Sequence, residues 1–297
     1  MSPIGVTFAC GRLLALAIGV AAAGAAVAQS TAPAAASAPK AAAKTPARPA
    51  AAKPFRPIIE ARAVELLKAA SDRLAAAKSM SFGAIASYGY PSRLGPPIVY
   101  TVRYEVVMQR PDKLEVVIPG DGPPSEFVID GREMVAFDPA ANLVAVAPAP
   151  ATLEAALKQA YQAASIYFPF TDLLLPDPYA AISDGAILAY VVGPSAVVGG
   201  TKTEMVVWAS NDVFMQLWIG ADDQLPRRIR AIFRNDPRGL RHDLELSNWQ
   251  LDGALAAETF GTAKAKAGQP MAFAAPGPKR PLPGRKAAAP EPAAKAP

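Results

Sequence analysis

The side chains that could perform acid–base or nucleophilic chemistry are few in this chain. Of 297 residues, one is a histidine, His242, and one is a cysteine, Cys10. This supply cannot build a disulfide or a Cys/His zinc site, and a Ser-His-Asp triad would have to use His242. His242 alternates with Leu240 and Leu244 on the apolar side of a predicted strand. That position favours a hydrogen-bonded core histidine over a general base, which would need partners that the spacing does not identify.

Motifs that carry chemistry on their own are also missing. The sequence contains no G-x-S-x-G nucleophile elbow, no phosphate-binding G-x-x-x-x-G-K-[ST], no G-x-G-x-x-G and no H-E-x-x-H. The close acid pairs, Asp222-Asp223 and Asp243 with Glu245, fall in a turn and on the polar side of a strand, as solubility features do. We therefore predict a protein that is not an enzyme and that holds no cofactor and no metal. An enzyme using His242 is the third hypothesis.

The densest group of charged side chains is a run of arginines. Its members are Arg227, Arg228, Arg230, Arg234, Arg238 and Arg241. Asp243 and Glu245 follow on the polar side of the next predicted strand, so cross-strand ion pairs explain much of the run. Recognition of an anion or a headgroup is the alternative, because the arginine fork suits phosphate.

Charge is divided unevenly along the chain, whose formal net charge is +5. Residues 57–261 hold 17 of the 30 basic and 24 of the 25 acidic side chains, so this middle part is net −7. A nucleic-acid-binding domain is normally basic on its own account. The part of the chain that can fold is therefore not expected to bind nucleic acid.

The N-terminal 28 residues have the pattern of a secretory signal peptide. Arg12 supplies the positive flank, Leu13–Ala25 the apolar run, and Ala26–Ala28 the small-x-small cleavage site. Cleavage would leave Gln29 as the mature start and a periplasmic product. An uncleaved anchor is the alternative, but the apolar run is shorter than the roughly 20 residues of a membrane span.

Two low-complexity segments flank the predicted domain at 58–261. Residues 29–57 and 262–297 are rich in Ala, Pro and Lys, and such compositions bury too little apolar surface to offset chain entropy. We predict a disordered linker and a disordered basic tail. They are either solvated spacers or tethers attracted to anionic lipid or cell-wall polymer.

The middle of the chain alternates as an α+β protein with an antiparallel sheet does. Helices are predicted at about 58–78 and 151–164. Strands are predicted at 99–109, 113–118, 127–129, 134–137, 143–147, 186–198, 202–209, 213–219, 227–235 and 239–249. The apolar segment Phe168–Pro176 is interrupted by prolines, which indicates either a turn that plugs the core or a movable lid.

Large apolar side chains are concentrated on these strands. The strand near 213–219 is apolar on both faces, so it is either packed on both sides or lines an apolar cavity. The residues that we predict to line such a cavity and to bind an apolar ligand are Tyr100, Tyr104, Met108, Phe127, Met134, Phe137, Phe170, Leu174, Met205, Trp208, Phe214 and Trp218.

Several short segments follow one another in a distinctive order: Asp130–Arg132, Phe137–Pro139, Phe170–Leu174, Leu217–Ile229, Leu244–Trp249 and Phe260. Their order and spacing resemble the LolA/LolB-like lipoprotein-carrier superfamily, and more closely its predicted periplasmic proteins. The resemblance implies a strongly curved antiparallel β-sheet, a half barrel, with helices covering its concave face, where the carriers hold acyl chains. Arg110, in the segment Arg110–Leu114, matches the arginine that latches the lid helices in the carriers.

The leading hypothesis is therefore a monomeric, non-enzymatic periplasmic protein that holds an apolar small molecule, a lipid or a lipoprotein acyl chain in the half-barrel cavity. Such a protein would serve envelope lipid or lipoprotein trafficking. The alternative is an envelope scaffold, or protein-interaction module, whose basic tails engage anionic envelope surfaces while the domain binds another protein.

Overall fold

The computed structural model describes residues 58–275, apart from residues 94, 121–123 and 184. In this part of the chain the helices are α1 Ala61–Ala76, α2 Leu153–Ala164, α3 Thr171–Leu174, α4 Pro178–Ser183 and α5 Ala263–Lys266, with a 3₁₀ turn at Val198–Gly200. The strands are β1 Ser79–Tyr90, β2 Ile98–Gln109, β3 Lys113–Ile118, β4 Ser125–Asp130, β5 Glu133–Asp138, β6 Leu143–Pro148, β7 Leu188–Ser195, β8 Thr203–Ala209, β9 Val213–Gly220, β10 Pro226–Phe233, β11 Arg241–Leu251 and β12 Gln269–Met271. The predicted signal peptide and linker, and the predicted tail from residue 276, lie outside the described residues.

The strands form one open sheet of 12 strands in the order β12-β6-β5-β4-β3-β2-β1-β11-β10-β9-β8-β7. Neighbouring strands are antiparallel except β12, which runs parallel to β6. The predicted fold class is confirmed: an α+β protein with a large curved antiparallel sheet, half-barrel in type, and few helices.

β1 lies at the centre of this sheet, yet no strand is predicted there. Its sequence, SMSFGAIASYGY, is rich in Ser, Gly and Ala, which have low strand propensity. The alternation is nevertheless present, because Met80, Phe82, Ala84 and Ala86 are buried. β1 pairs with β2 along its whole length and with β11 on its other side, so it joins the two halves of the sheet.

One face of the sheet carries the main core. A row of directly opposed residues, Met80, Met108, Leu114, Ile129 and Met134, crosses five neighbouring strands. All five side chains are at most 1% exposed. Helices α1 to α4 pack on this face, which we call the concave face.

The helices divide the concave face between them. α1 presents Ala63, Leu67 and Ala70 to the strands β7–β9, where they form one cluster with Val206 and Trp208. α2 and the chain that follows it, as far as α3, cover β1–β5. Both long helices bury one apolar stripe, as helices on a sheet surface do.

The fold continues past residue 261, where the predicted domain ends. Ala265 of α5 is buried against Val135, Phe137 and Val144 on the face of the sheet opposite to α1–α4. β12 then pairs with the edge strand β6, and Lys266 forms an ion pair with Glu133. The Ala/Lys/Pro composition of this stretch gives no sign that it packs on the sheet, because a single buried alanine produces no periodic pattern of apolar residues.

Candidate functional site

The part of the concave face under α2 is filled by side chains from the segment that we call the plug, residues 165–175. Phe168 and Phe170 stack on each other with ring centroids 5.6 Å apart. Phe170 lies edge-on to Phe82 at 5.5 Å and to Tyr104 at 5.3 Å, while Phe168 lies 5.6 Å from Phe127. Phe168 and Phe170 are 5% and 0% exposed, so the plug closes this half of the face.

Arg110 connects the plug to the end of α1. Its Nη1 donates to the carbonyl oxygen of Leu174 at 3.1 Å, and its Nη2 to that of Leu175 at 3.0 Å. On the other side, Nε donates to the carbonyl oxygen of Ala77 at 3.1 Å, and Nη2 also reaches that of Leu74 at 3.5 Å. A cation suits carbonyl oxygens at helix C-termini, where the helix dipole is negative.

Burial lowers the pKa of Arg110 from its ordinary value. The carbonyl oxygens around the guanidinium compensate part of this desolvation, because each accepts a charge-assisted hydrogen bond. One side chain at the end of β2 thereby holds two helix ends together.

Away from the plug, the concave face comes into contact with solvent. Along β2, the side chains facing this side become steadily more exposed, from Met108 at 0% through Tyr104 at 9% to Tyr100 at 40%. No described helix covers the strand ends here. This open end is lined by five rings, which we name the aromatic mouth: Tyr88, Tyr90, Tyr100, Phe233 and His242.

The rings of the aromatic mouth contact one another in a chain across four strands. Tyr100 lies 5.7 Å from Tyr90 and 5.9 Å from Tyr88, Tyr88 stacks on His242 at 6.4 Å, and His242 meets Phe233 edge-on at 5.1 Å. Such pairs have favourable quadrupole geometry and hold the rings in place although they are exposed. The mouth is therefore an ordered apolar surface.

His242 occupies this surface and not the core. The expectation that it lies on the apolar side of its strand is confirmed, since it is opposite Tyr88 and Ala231. The expectation of a core histidine is wrong, because its side chain is exposed. Desolvation by its neighbours lowers the pKa of His242, while the carboxylates of Asp236 and Asp243 act in the opposite direction.

Tyr104 stands where the mouth meets the plug. Its ring lies 6.3 Å from Phe168, and burial raises its pKa to about 12, with smaller contributions from Tyr88 and Tyr167. Partial desolvation also raises the pKa of Tyr167, with Asp172 and Tyr161 adding to the effect, although this residue is 64% exposed. The mouth and the plug are thus parts of one continuous surface.

A cavity of about 610 Å³ lies at the opposite end of β2, beside Arg110. Its lining includes the cationic side chains of Lys78, Arg110 and Lys113, the apolar Leu255 and Phe260, and several alanines at the end of α1. None of its lining residues is an acid. The cavity therefore borders Arg110 on the side of α1 and β2.

Eight of the twelve residues predicted to line a cavity lie on the concave side of the sheet or in the segment that covers it. Tyr100, Tyr104, Met108, Phe127, Met134 and Trp208 face the concave side, and Phe170 and Leu174 come from the plug and α3. The other four, Phe137, Met205, Phe214 and Trp218, lie on the opposite face. Trp218 there lies under the guanidinium of Arg228, at 5.5 Å. β9 is apolar on both faces, so the sequence pattern could not assign its sides.

Three rings of the aromatic mouth, Tyr88, Tyr90 and Phe233, were not predicted from the sequence as site residues, and Phe168 was not predicted as a lining residue. Tyr88 and Tyr90 continue the alternation that starts at Met80, and this parity is the signal that could have located them. Phe168 has no such signal, because its position depends on how the chain leaves α2.

The described residues place limits on other kinds of site. Within them, no three His, Cys, Asp or Glu side chains come together in a way that could hold a metal ion. None of the helices in the same part of the chain has the length and apolar character needed to cross a bilayer.

Residues 63–274 match the model of a family described as "Predicted periplasmic protein (DUF2092)". An uncharacterized conserved protein from Thermus thermophilus is 14% identical over 71% of this chain and 99% of its own, with a TM-score of 0.42. LprF from Mycobacterium bovis is 16% identical over 68% and 98%, with a TM-score of 0.42. A LolA superfamily protein from Nitrosomonas europaea is 12% identical over 67% and 96%, with a TM-score of 0.32. No curated protein matches the chain significantly.

Proposed function

The chain belongs to the family of predicted periplasmic proteins (DUF2092), as its sequence indicated, and from this premise we propose that it is a non-enzymatic carrier of an acyl chain or a similar apolar ligand. The ligand takes the place of the plug on the concave face. The observation that carries the proposal is that Phe168 and Phe170, two large rings on a short segment, fill this face while a single arginine holds the end of the segment.

A plug of this kind can be exchanged for an apolar ligand because few polar interactions hold it to the sheet. Thr171 Oγ1 and the backbone N–H of Thr171 both bond within the plug, to the carbonyl oxygen of Phe168 at 2.8 Å and 3.2 Å. The polar bonds from Arg110 are made at the far end, beside the open cavity. The segment can therefore move as a unit once the arginine releases it.

The size of the ligand follows from what it must replace. Burying a phenylalanine side chain stabilises a protein by up to about 3 kcal/mol, and each buried methylene contributes about 0.8 kcal/mol. An acyl chain that displaces both Phe168 and Phe170 must therefore bury about eight methylenes to offset their loss. We infer that long acyl chains bind and that short ones do not.

The aromatic mouth is the entry side in this proposal. Tyr104 lies between the exposed Tyr88 and the buried Phe168, so a chain sliding inward stays in contact with apolar surface throughout. His242 serves as part of this wall. Among the described residues it makes no hydrogen bond that could activate it as a base, and its ring neighbours are Tyr88 and Phe233.

The proposal is tested with the full chain purified from the cell envelope. Mass spectrometry of an organic extract should find a co-purified lipid, and a fluorescent fatty acid should bind and be displaced by palmitate but not by octanoate. Phe170→Trp, which enlarges the plug, should weaken the uptake, whereas Phe214→Trp on the opposite face should not. Absence of any extracted lipid together with no uptake of the probe would refute the function.

A further inference from the structure

The tip of the β1–β2 hairpin beside the aromatic mouth is apolar on both of its faces. Tyr90 and Ile98 are directly opposed on the concave side, at 37% and 47% exposure, and Val99 points to the other side at 68%. A partner protein that docked on one face of the tip would leave the apolar residues of the other face exposed to water. An apolar medium that surrounds the tip would instead bury both faces.

The turns at this end carry an excess of positive charge. Three turns lie at this end, at residues 91–97, 210–212 and 234–240, and Arg241 follows the last of them. The charged residues described in these turns are Arg93, Arg234, Arg238, Asp212 and Asp236. Among the described residues, none of these four arginines makes an ion pair. The sequence pattern predicted cross-strand ion pairs for the run of arginines. Arg228 forms such a pair, because it bonds Asp243 on the neighbouring strand at 3.0 Å.

Both aspartates at this end are already used within their own turns. The carboxylate of Asp236 accepts the backbone N–H groups of Arg238 at 3.0 Å and Leu240 at 2.9 Å, and these bonds lower its pKa. Asp212 accepts the side-chain amide of Asn235 at 3.1 Å. The arginines are thus left with their donors available to an external anion.

The two hairpins also brace each other. A Cβ built on Gly89 would lie 3.3 Å from Leu240 Cδ2 and 3.7 Å from Pro97 Cβ, so the β1–β2 and β10–β11 turns are in van der Waals contact at this point. The apolar tip and the arginines therefore form one fixed surface. Tyrosines and arginines side by side are the composition that anchors proteins at the level of lipid headgroups.

We propose that this end of the molecule docks on an anionic phospholipid surface, with the hairpin tip inserted among the headgroups and Arg93, Arg234, Arg238 and Arg241 binding lipid phosphates. The rest of residues 57–261 is acidic, for this part is net −7 overall. An anionic surface repels that remainder and attracts this end, so the charge distribution orients the aromatic mouth toward the lipid. Self-association through the same surface is disfavoured, because it would bring two sets of arginines together.

Membrane docking is a property separate from carriage of an acyl chain, and it can be tested with no acyl ligand present. The full chain is sedimented with vesicles of phosphatidylcholine, alone or mixed with phosphatidylglycerol. Each cation near an anionic surface contributes about 1 kcal/mol, or roughly fivefold in partition. The wild type should bind the mixed vesicles, and Arg238→Gln with Arg241→Gln should reduce the partition more than tenfold. The matched control, Arg62→Gln with Arg103→Gln, removes the same charge from exposed arginines elsewhere and should bind nearly as the wild type does.

The apolar half of the surface has its own variant and control. Tyr90→Ser with Ile98→Ser should also weaken binding, whereas Val197→Ser with Met271→Ser, exposed apolar residues elsewhere, should not. The basic termini are present in every variant, so their contribution is a common factor. The proposal is overturned if the arginine and hairpin-tip variants bind the vesicles as their controls do. It is also overturned if the wild type binds both kinds of vesicle equally. The arginine variants should take up the fluorescent fatty acid without vesicles as the wild type does. This measurement distinguishes a failure of the membrane-docking proposal from a failure of the carrier function.

Discussion

Arg110 Nη1 donates a hydrogen bond to the carbonyl oxygen of Leu174 at 3.1 Å, although 64 positions separate the two residues. The bond joins the end of the central β2 to the end of the plug. The same guanidinium bonds the carbonyl oxygen of Ala77 just beyond α1, so the plug, the sheet and α1 meet at one side chain. Substitution of this one residue therefore removes every hydrogen bond by which Arg110 links the plug to α1.

Arg110→Lys should loosen the plug without unfolding the sheet. A lysine ammonium lacks the planar fork, so it cannot serve carbonyl oxygens on two sides at once. Loss of the charged hydrogen bonds should lower the free energy of unfolding by about 2 kcal/mol. Amide hydrogen exchange of residues 165–175 should become faster, and the fluorescent fatty acid should bind with a higher rate constant.

The matched control for this substitution is Arg103→Lys on the same strand. Arg103 is exposed and, within the part of the chain that the structure describes, bonds only Glu105, at 2.8 Å. Its replacement should leave both the exchange of the plug and the rate of uptake unchanged. If the two variants behave alike, Arg110 does not restrain the plug.

Phe170→Ala should destabilise the ligand-free protein strongly. Phe170 is fully buried, and a Phe→Ala truncation in a core costs about 3–5 kcal/mol through lost burial and the cavity that remains. Because a bound chain would no longer have to displace this ring, the affinity for palmitate should rise. Urea unfolding with and without palmitate measures both effects. Phe233→Ala, an exposed ring, should change stability by about 0.5 kcal/mol or less.

The buried phenol of Tyr104 predicts a loss of stability at alkaline pH. Its pKa is raised from 10.0 to about 12 on folding, so the unfolded chain loses this proton first as the pH rises. Stability from this group is complete below pH 10 and is lost as the pH rises toward 12, by about 1 kcal/mol between pH 9 and pH 11. Tyr104→Phe should flatten the dependence of unfolding free energy on pH over this interval.

Tyr167 acts in the same direction, but it is 64% exposed, so solvent weakens its effect on stability. Tyr104→Phe should therefore leave at most a small residual slope, which the double variant with Tyr167→Phe removes. A slope unchanged by the Tyr104 substitution would mean that this phenol ionises as freely in the folded protein as in the unfolded one.

The antiparallel part of the fold was predictable where strands alternate cleanly between apolar and polar residues. Ten strands and both long helices were located in this way, and β2 differs from its prediction by a single residue at one end. β1 was missed although it is central, because small residues such as Ala84 and Ala86 are buried there by their neighbours and carry little hydrophobic signal of their own. Tertiary packing decides such a strand, and single-residue propensity does not.

The candidate site was less predictable than the fold for two physical reasons. Strands that are apolar on both faces, such as β9, give no information about which side is concave, so Phe214 and Trp218 were grouped with residues of the other face. In addition, the acceptors of Arg110 are backbone carbonyl oxygens, which every residue has, so no sequence pattern marks them. The resemblance to a family pointed to Arg110, but the carbonyls of Leu174 and Leu175 become visible only in the structure.

Truncation of the chain tests where the domain ends. A chain stopped after Gly261, near the end of the predicted domain, loses α5 and β12 and uncovers the cluster of Val135, Phe137 and Val144. The free energy of unfolding should fall by about 2–3 kcal/mol, the value of exposing one large apolar side chain. A chain stopped after Ala275 keeps these contacts and should unfold as the full chain does.

A point substitution separates this effect from the loss of chain length. Ala265 is buried in the cluster, whereas Ala267, two residues later, is exposed. Ala265→Glu places a carboxylate against Phe137 and its neighbours, where burial without a partner is costly. It should therefore destabilise the protein at least as much as the truncation, while Ala267→Glu should have little effect. Equal stability of the two variants would show that residues 263–271 do not pack on the sheet in solution, and that the fold ends at the earlier boundary.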